Sequence, residues 1–148
     1  MTMDDATLAR VPLQVMQDCV VASLQVDLSP AVLQALQEDL LELLHSSGAK
    51  GAIVDLSGVQ VMDGAEFRSL RKTLSMAALL GARCFVCGLQ PGVVAALTEL
   101  GADLENLNAA LNLDDAFRRM KGSERASGDG EVAVDSSAMG DGQPDPDV

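Results

Sequence analysis

Two cysteines with the spacing of a redox or zinc pair, Cys84 and Cys87, are the residues of this sequence best suited to chemistry. A Cys-x-x-Cys pair forms a redox centre when a helix N-terminus lowers the thiolate pKa, and it can also donate two thiolates to zinc. Here both cysteines lie in the apolar run 82–87, which is predicted to be a strand. Side chains three positions apart in a strand point to opposite faces of a sheet, so we expect neither a redox pair nor a metal site.

The single histidine, His45, has no second histidine with which it could share a metal ion. Its predicted place in the last turn of a helix suits a favourable interaction with the helix dipole. The phosphate-binding patterns GxxxxGK[ST] and GxGxxG and the nucleophile pattern GxSxG are absent from the sequence. We therefore expect no catalytic residue, no metal and no cofactor, and the chain is not expected to be an enzyme.

A junction between a predicted strand and a predicted helix, at residues 61–67, is more informative. If Asp63 is the N-cap of the helix, Glu66 falls at the N3 position and completes a capping box. Met62 can then pack on Phe67 as a hydrophobic staple. This pattern predicts a well-made helix start, and that alone accounts for all four residues.

Further along the same helix, four side chains recur at i, i+3, i+4 and i+7: Arg68, Arg71, Lys72 and Ser75. This spacing places them on one face and makes a basic stripe on an acidic protein. The stripe is either a solvated face or a surface that docks an acidic partner by charge. Similarly, the glycine-rich turn 88–92 either accepts an anion at a helix N-terminus or is only a helix entrance with Pro91 at N1.

Short apolar runs, which are predicted to be strands, alternate along the sequence with amphipathic runs, which are predicted to be helices, and these elements position the residues described above. The order β-β-α-β-α-β-α-β-α predicts an α/β fold, with a central mixed, mainly parallel sheet flanked by about four helices. The apolar face of the third helix is assigned to Val94, Leu97 and Leu100. Strands are predicted over 13–16, 19–26, 52–56, 82–87 and 104–107, and helices over 30–47, 63–80, 91–100 and after Asn112.

Composition limits the partners. The 148 residues include 22 acidic and 10 basic side chains, for a net charge of −12, which argues against nucleic acids and anionic membranes as partners. Three cysteines do not make a disulfide scaffold, and neither a secretory signal nor a membrane span is evident. We expect a cytoplasmic protein with a flexible N-terminus at 1–10, one domain at 11–121, and a disordered, acidic Gly/Ser/Asp-rich tail at 122–148.

A series of short segments between residues 11 and 121 resembles the STAS-domain family of anti-sigma-factor antagonists, and most of all the RsbS-type scaffold proteins of the stressosome. The segments include DCVVASLQ from Asp18, GAIVDLSGV from Gly51 and GLQP from Gly88. The resemblance implies a STAS fold and a non-enzymatic binding module of a bacterial partner-switching, stress-signalling pathway. The implied partners are STAS paralogues similar to RsbR and a serine-protein-kinase switch protein similar to RsbT, in a homo- or hetero-oligomer.

The resemblance also implies where the regulatory site lies. In single-domain antagonists of this family, the phosphoacceptor directly follows the Asp that starts the second helix, and here that position is Gly64. A second acceptor of the stressosome proteins, a Thr before the Gly-x-x-Pro turn, corresponds to Cys87. Neither residue can accept phosphate from a serine/threonine kinase. The residues expected to bind partners or to regulate are Asp63, Gly64, Glu66, Arg68, Arg71, Lys72, Cys87 and Gln90.

Phosphoregulation is accordingly expected to be lost or moved elsewhere. The candidates for relocated phosphorylation are Ser57, Ser69 and Ser75, and thiol oxidation at Cys87 is a further candidate. The alternative function is a nucleotide or small-anion sensor on the same fold, with the turn at 88–92 as its binding site.

Overall fold

The structure is a computed structural model that describes residues 10–25, 28–102 and 107–122. The expectations for the N-terminus and the acidic tail concern residues that, apart from Arg10 and Gly122, lie outside this part. The elements are β1 (Leu13–Met16), β2 (Cys19–Ser23), α1 (Pro30–Ser47), β3 (Gly51–Asp55), α2 (Gly64–Leu79), β4 (Arg83–Cys87), α3 (Pro91–Glu99), β5 (Ala109–Ala110) and α4 (113–122). The chain divides into two compact units, 1–116 and 117–148, and the described part of the second, 117–122, is helical.

The five strands of the described chain form one sheet in the order β1-β2-β3-β4-β5. Strand β1 is antiparallel to β2, and all other neighbours are parallel. The first pair is a hairpin whose two turn residues, Gln17 and Asp18, both have positive φ, as a two-residue turn of the favoured hairpin type requires. The predicted mixed, mainly parallel sheet is thus confirmed.

The helices begin and end where their capping residues lie. Helix α1 starts after Ser29, whose Oγ accepts a hydrogen bond from the Val32 N–H at 3.3 Å, and ends at Gly48, which adopts a left-handed φ of 70°. Helix α4 is preceded by Asn112, whose Oδ1 accepts from the Asp115 N–H at 2.8 Å. Both helices start at the positions predicted from the sequence.

Helices α1, α2 and α3 share one hydrophobic core with one face of the sheet. That core includes Val20 and Val54 from the strands, Leu36 and Leu40 from α1, and Phe67 from α2. On the opposite face of the sheet, residues such as Val21, Ile53 and Phe85 are buried as well. Both faces of the central strands are therefore covered, as is usual for parallel strands.

One detail of the predicted fold is wrong, and one strand lies at a position that was not predicted. In α3 the buried residues are Val93 and Leu97, whereas Val94 is 38% and Leu100 61% exposed. This nine-residue helix is apolar on nearly every side, so spacing alone does not select its buried face. The last strand of the described chain is β5 at Ala109–Ala110. The strand predicted over 104–107 lies, apart from residue 107, outside the described residues.

The parallel register brings the ends of the central strands to one edge of the sheet. Ser23 pairs with Asp55, and Asp55 pairs with Cys87. The loops that follow these strands therefore emerge side by side, at the edge where α/β proteins commonly place their sites. These loops lead to Gly64 and to the turn 88–91.

Candidate functional site

The start of α2 is the best-defined part of this edge. Asp63 accepts a hydrogen bond from the Glu66 N–H at 2.7 Å, and the Glu66 Oε1 accepts from the Asp63 N–H at 3.0 Å. Met62 and Phe67 are both buried. The predicted capping box is confirmed, and the two carboxylates hold the helix start in place.

Because the capping box fixes this start, Asp63→Ala is expected to lower the free energy of unfolding by about 1–2 kcal/mol. Asp63→Asn is the matched control, since an asparagine side chain can still accept the hydrogen bond from the Glu66 N–H. Urea unfolding followed by circular dichroism measures both variants. Equal destabilisation by both substitutions would contradict a capping role.

Gly64, the first residue of α2, is half-buried, and there is room for a side chain at this position. A Cβ placed there would lie 3.5 Å from the Nη1 of Arg68, which is an ordinary van der Waals distance. Any group attached at residue 64 would consequently lie beside the Arg68 guanidinium. The position is open to a larger residue, but the residue present carries no hydroxyl.

A groove of about 470 Å³, here called the basic groove, runs along α2 beside the residues that end α3. The guanidinium of Arg71 lies 6.0 Å from the centre of the Phe67 ring. The structure thus brings the predicted basic stripe into a concave surface and adds residues 100–102, which sequence analysis did not assign to it. Its lining residues are Gly64, Phe67, Arg68, Arg71, Lys72, Ser75, Leu100, Gly101 and Ala102.

A second hollow, of about 430 Å³, also borders the start of α2 and has the opposite charge. It contains the capping carboxylates and Val61, an apolar side chain that is 83% exposed. The start of α2 therefore separates an acidic hollow from a basic groove. The hollow is lined by Gln25, Leu28, Gly58, Val59, Gln60, Val61, Asp63 and Glu66.

The turn from β4 into α3 is fastened to the loop that follows β3. The Gln90 Nε2 donates a hydrogen bond to the Ser57 carbonyl at 2.7 Å, and the Asp55 Oδ1 accepts from the Ser57 N–H at 3.0 Å. Gly88 adopts a φ of +74°, and a Cβ there would approach Asp55 Oδ1 to 2.9 Å. The turn forms the entrance of α3 with Pro91 at the first helical position, and the Asp55 carboxylate lies close to it.

The two cysteines of β4 are separated by the sheet, as predicted. The Cys84 thiol donates to the Leu74 carbonyl of α2 at 3.5 Å, while Cys87 is buried beside Asp55. Burial raises the pKa of Cys84 to about 11. Burial, together with the charge and hydrogen bonding of Asp55, raises the pKa of Cys87 to about 12. Both thiols are protonated at neutral pH, so the structure gives no support to oxidative control at Cys87.

The three serines proposed for relocated phosphorylation differ in accessibility. Ser57 and Ser75 are exposed, and Ser75 lines the basic groove. Ser69 is half-buried, and its carbonyl accepts a hydrogen bond from the Thr73 hydroxyl at 3.2 Å. Of the two exposed serines, Ser75 lines the basic groove, whereas the Ser57 carbonyl accepts a hydrogen bond from the Gln90 side chain.

Within the described ranges, no group of three or more His, Cys, Asp or Glu side chains is arranged to hold a metal ion. Over those same residues, no helix combines the length and the hydropathy needed to cross a membrane.

Comparison with known proteins identifies the fold. The STAS domain family matches residues 10–116. A Ser-to-Glu variant of RsbS from Moorella thermoacetica matches with a TM-score of 0.69 and 32% identity, over 79% of this chain and 99% of that chain. A chain from the stressosome, described as a signal integration and transduction hub, matches with a TM-score of 0.69 and 30% identity, over 77% of this chain and 99% of that chain.

More distant structures share the fold alone. An anti-sigma-factor antagonist (STAS) domain protein from Planctomyces limnophilus has a TM-score of 0.60 at 14% identity, over 77% of this chain and 99% of that chain. No curated protein matches the sequence significantly. The chain therefore belongs to the STAS-domain family of anti-sigma-factor antagonists, and it is similar to the RsbS-type proteins of the stressosome.

Proposed function

We propose that this protein is a non-enzymatic, cytoplasmic STAS scaffold of a bacterial partner-switching pathway for stress signalling. Its partners are a serine-protein-kinase switch protein similar to RsbT and STAS paralogues similar to RsbR, with which it forms an oligomer. The similarity to RsbS and to a stressosome chain supports this assignment. Nucleic acids and membranes are not among the proposed partners, in keeping with the net charge of −12.

The observation that carries the proposal is Gly64 at the first position of a fully capped helix. In the family pattern this position holds the phosphoacceptor. A phosphate there would add a charge of about −1.5 to −2 next to Asp63 and Glu66. That change would alter the surface that a partner meets. Because a glycine has no hydroxyl, we infer that the protein stays in its unmodified, partner-binding state unless control has moved elsewhere.

Arg68 bears on how a modified residue 64 would act. Its Nη1 is the nearest side-chain atom to a Cβ built on Gly64, so a phosphate at this position has a cation within reach. Phosphorylation would then draw Arg68 toward the helix start as well as adding negative charge. Both effects change the partner surface at the same point, where the acidic hollow meets the basic groove.

Restoring the hydroxyl tests the proposal. Gly64→Ser is expected to be phosphorylated stoichiometrically by the cognate RsbT-like kinase and to lose affinity for that kinase once phosphorylated. Gly64→Ala is the control, because it changes the helix start without supplying a hydroxyl. Mass spectrometry of the intact protein and its peptides locates the phosphate. If an active kinase leaves the Gly64→Ser variant unmodified, the assignment of residue 64 is wrong.

Affinity capture from the native host tests the partners themselves. The tagged protein is expected to recover STAS paralogues and a serine-kinase-like protein, with residues 64 and 87 unmodified. Phosphate found at Ser57, Ser69 or Ser75 in the same sample would locate relocated control. Recovery of neither partner class would leave the family membership intact and would contradict the proposed function.

A further inference from the structure

We propose that the basic groove binds an acidic, helical segment of a protein partner, and that this segment sets one large apolar side chain against Leu100. The inference rests on the proposed function, because it specifies the chemistry of a partner at the same surface. Neither the similarity to RsbS nor the basic stripe alone implies it, since it depends on where α3 ends.

The charge of the groove indicates an acidic partner. Arg68, Arg71 and Lys72 lie along one wall, and among the residues that the structure describes in this groove none is acidic. The rest of the protein is strongly acidic, with a net charge of −12. The groove is thus a local region of positive potential that would attract and orient an acidic segment.

The length and spacing of the groove indicate a helix. Its α2 wall extends from Gly64 to Ser75, about 16 Å along the helix axis. Arg68 and Lys72 are exposed and lie one turn apart on this wall. Carboxylates at positions i and i+4 of a partner helix repeat at the same interval, so two ion pairs can form together. A segment of about three turns would cover the groove.

The far wall supplies an apolar contact. Leu100, the C-cap of α3, is 61% exposed, and Ala102 lies beside it in the groove. Gly101 leaves this wall open, since a Cβ at that position would meet no atom within 4 Å. An apolar side chain from a partner can therefore lie against Leu100 while charged groups surround it. Such an arrangement is typical of the residues that dominate binding energy.

The test uses the full-length ¹⁵N-labelled protein and a synthetic helical peptide of three to four turns, with Glu at i and i+4 positions and one Leu on the same face. NMR shift changes are expected to be confined to the residues of the basic groove. A peptide with Lys in place of each Glu is expected to produce none. Binding of both peptides alike would overturn the proposal.

Two matched pairs of variants separate the charge term from the apolar term. Lys72→Glu is expected to weaken peptide binding at least about fivefold, and Lys50→Glu, the same charge change at an exposed lysine outside the groove, by less than about twofold. Leu100→Gln is expected to weaken binding about tenfold, and Leu79→Gln, at an apolar side chain that is 87% exposed elsewhere, to leave it unchanged.

The remaining outcomes either identify a different occupant of the groove or separate this proposal from the proposed function. If inorganic phosphate alone reproduces the shifts, the groove is a small-anion site. If the shifts appear with increasing protein concentration and no peptide, the occupant is a second copy of the chain. If Lys72→Glu loses no peptide affinity but the protein still captures its STAS and kinase partners, the groove is excluded while the proposed function stands. If the groove binds the peptide but the protein captures neither STAS nor kinase partners, the proposed function is contradicted while the groove still prefers an acidic helix.

Discussion

Replacing Gly88 with alanine is expected to lower the free energy of unfolding by about 2–4 kcal/mol, since two independent effects act against the new methyl group. The backbone at Gly88 has a φ of +74°, a conformation that side chains rarely adopt. The added Cβ would also lie 2.9 Å from Asp55 Oδ1, from the Ser57 Cβ and from the Ser57 backbone nitrogen. Two of these atoms are held by the 3.0 Å hydrogen bond between Ser57 and Asp55, so they cannot move apart cheaply.

Gly92, four residues later, provides the control. A Cβ at this position would meet no atom within 4 Å, and the residue lies inside α3. Gly92→Ala is therefore expected to stabilise the protein by about 0.5–1 kcal/mol. Chemical unfolding of the wild type and both variants at neutral pH gives the comparison. Equal midpoints for Gly88→Ala and the wild type would contradict the geometry described for this turn.

The effect of Gly88 extends beyond stability. This residue allows the β4–α3 turn to pass close to the loop after β3, where Gln90 holds the Ser57 carbonyl at 2.7 Å. The loop after β3 leads directly to Asp63 and the start of α2. A displaced turn would therefore loosen the partner surface as well as the fold. Gly88→Ala is expected to lower both the free energy of unfolding and the affinity for the partners.

Features that depend on a few neighbouring residues could be predicted from the sequence. The capping box needs only Asp63 and Glu66 at the right spacing, and the cap of α1 needs only Ser29 followed by Pro30. The separation of Cys84 from Cys87 follows from the period of a single strand. In each case the physical cause is local, so no knowledge of the tertiary structure is required.

Features that depend on distant segments could not be predicted. Spacing assigned Leu100 to the core, but it forms a wall of the basic groove opposite α2, a helix that ends 21 residues earlier in the chain. The approach of Asp55 to Cys87 likewise depends on the register between β3 and β4. No pattern within either strand specifies that register, because both strands are uniformly apolar apart from their ends.

The contact between Asp55 and Cys87 leads to a prediction about stability at alkaline pH. The pKa of Cys84 rises to about 11 and that of Cys87 to about 12 in the folded protein, against 9.0 for an ordinary thiol. At pH values between 9.0 and these raised pKa values, the folded state retains thiol protons that the unfolded state has released. Raising the pH therefore favours unfolding, whereas below about pH 8 both states hold these protons and stability does not depend on them.

From pH 7 to pH 10, the two thiols together are expected to remove about 2–3 kcal/mol of stability. The chain contains no tyrosine, so no phenol titrates in this range to obscure the effect. Chemical unfolding at pH 7, 8, 9 and 10 measures the loss. In Cys87→Ala the difference between pH 7 and pH 10 should fall to about half, whatever the substitution does to stability at pH 7. An unchanged difference would mean that the Cys87 thiol does not remain protonated in the folded state, and the buried contact with Asp55 would then have to be reassigned.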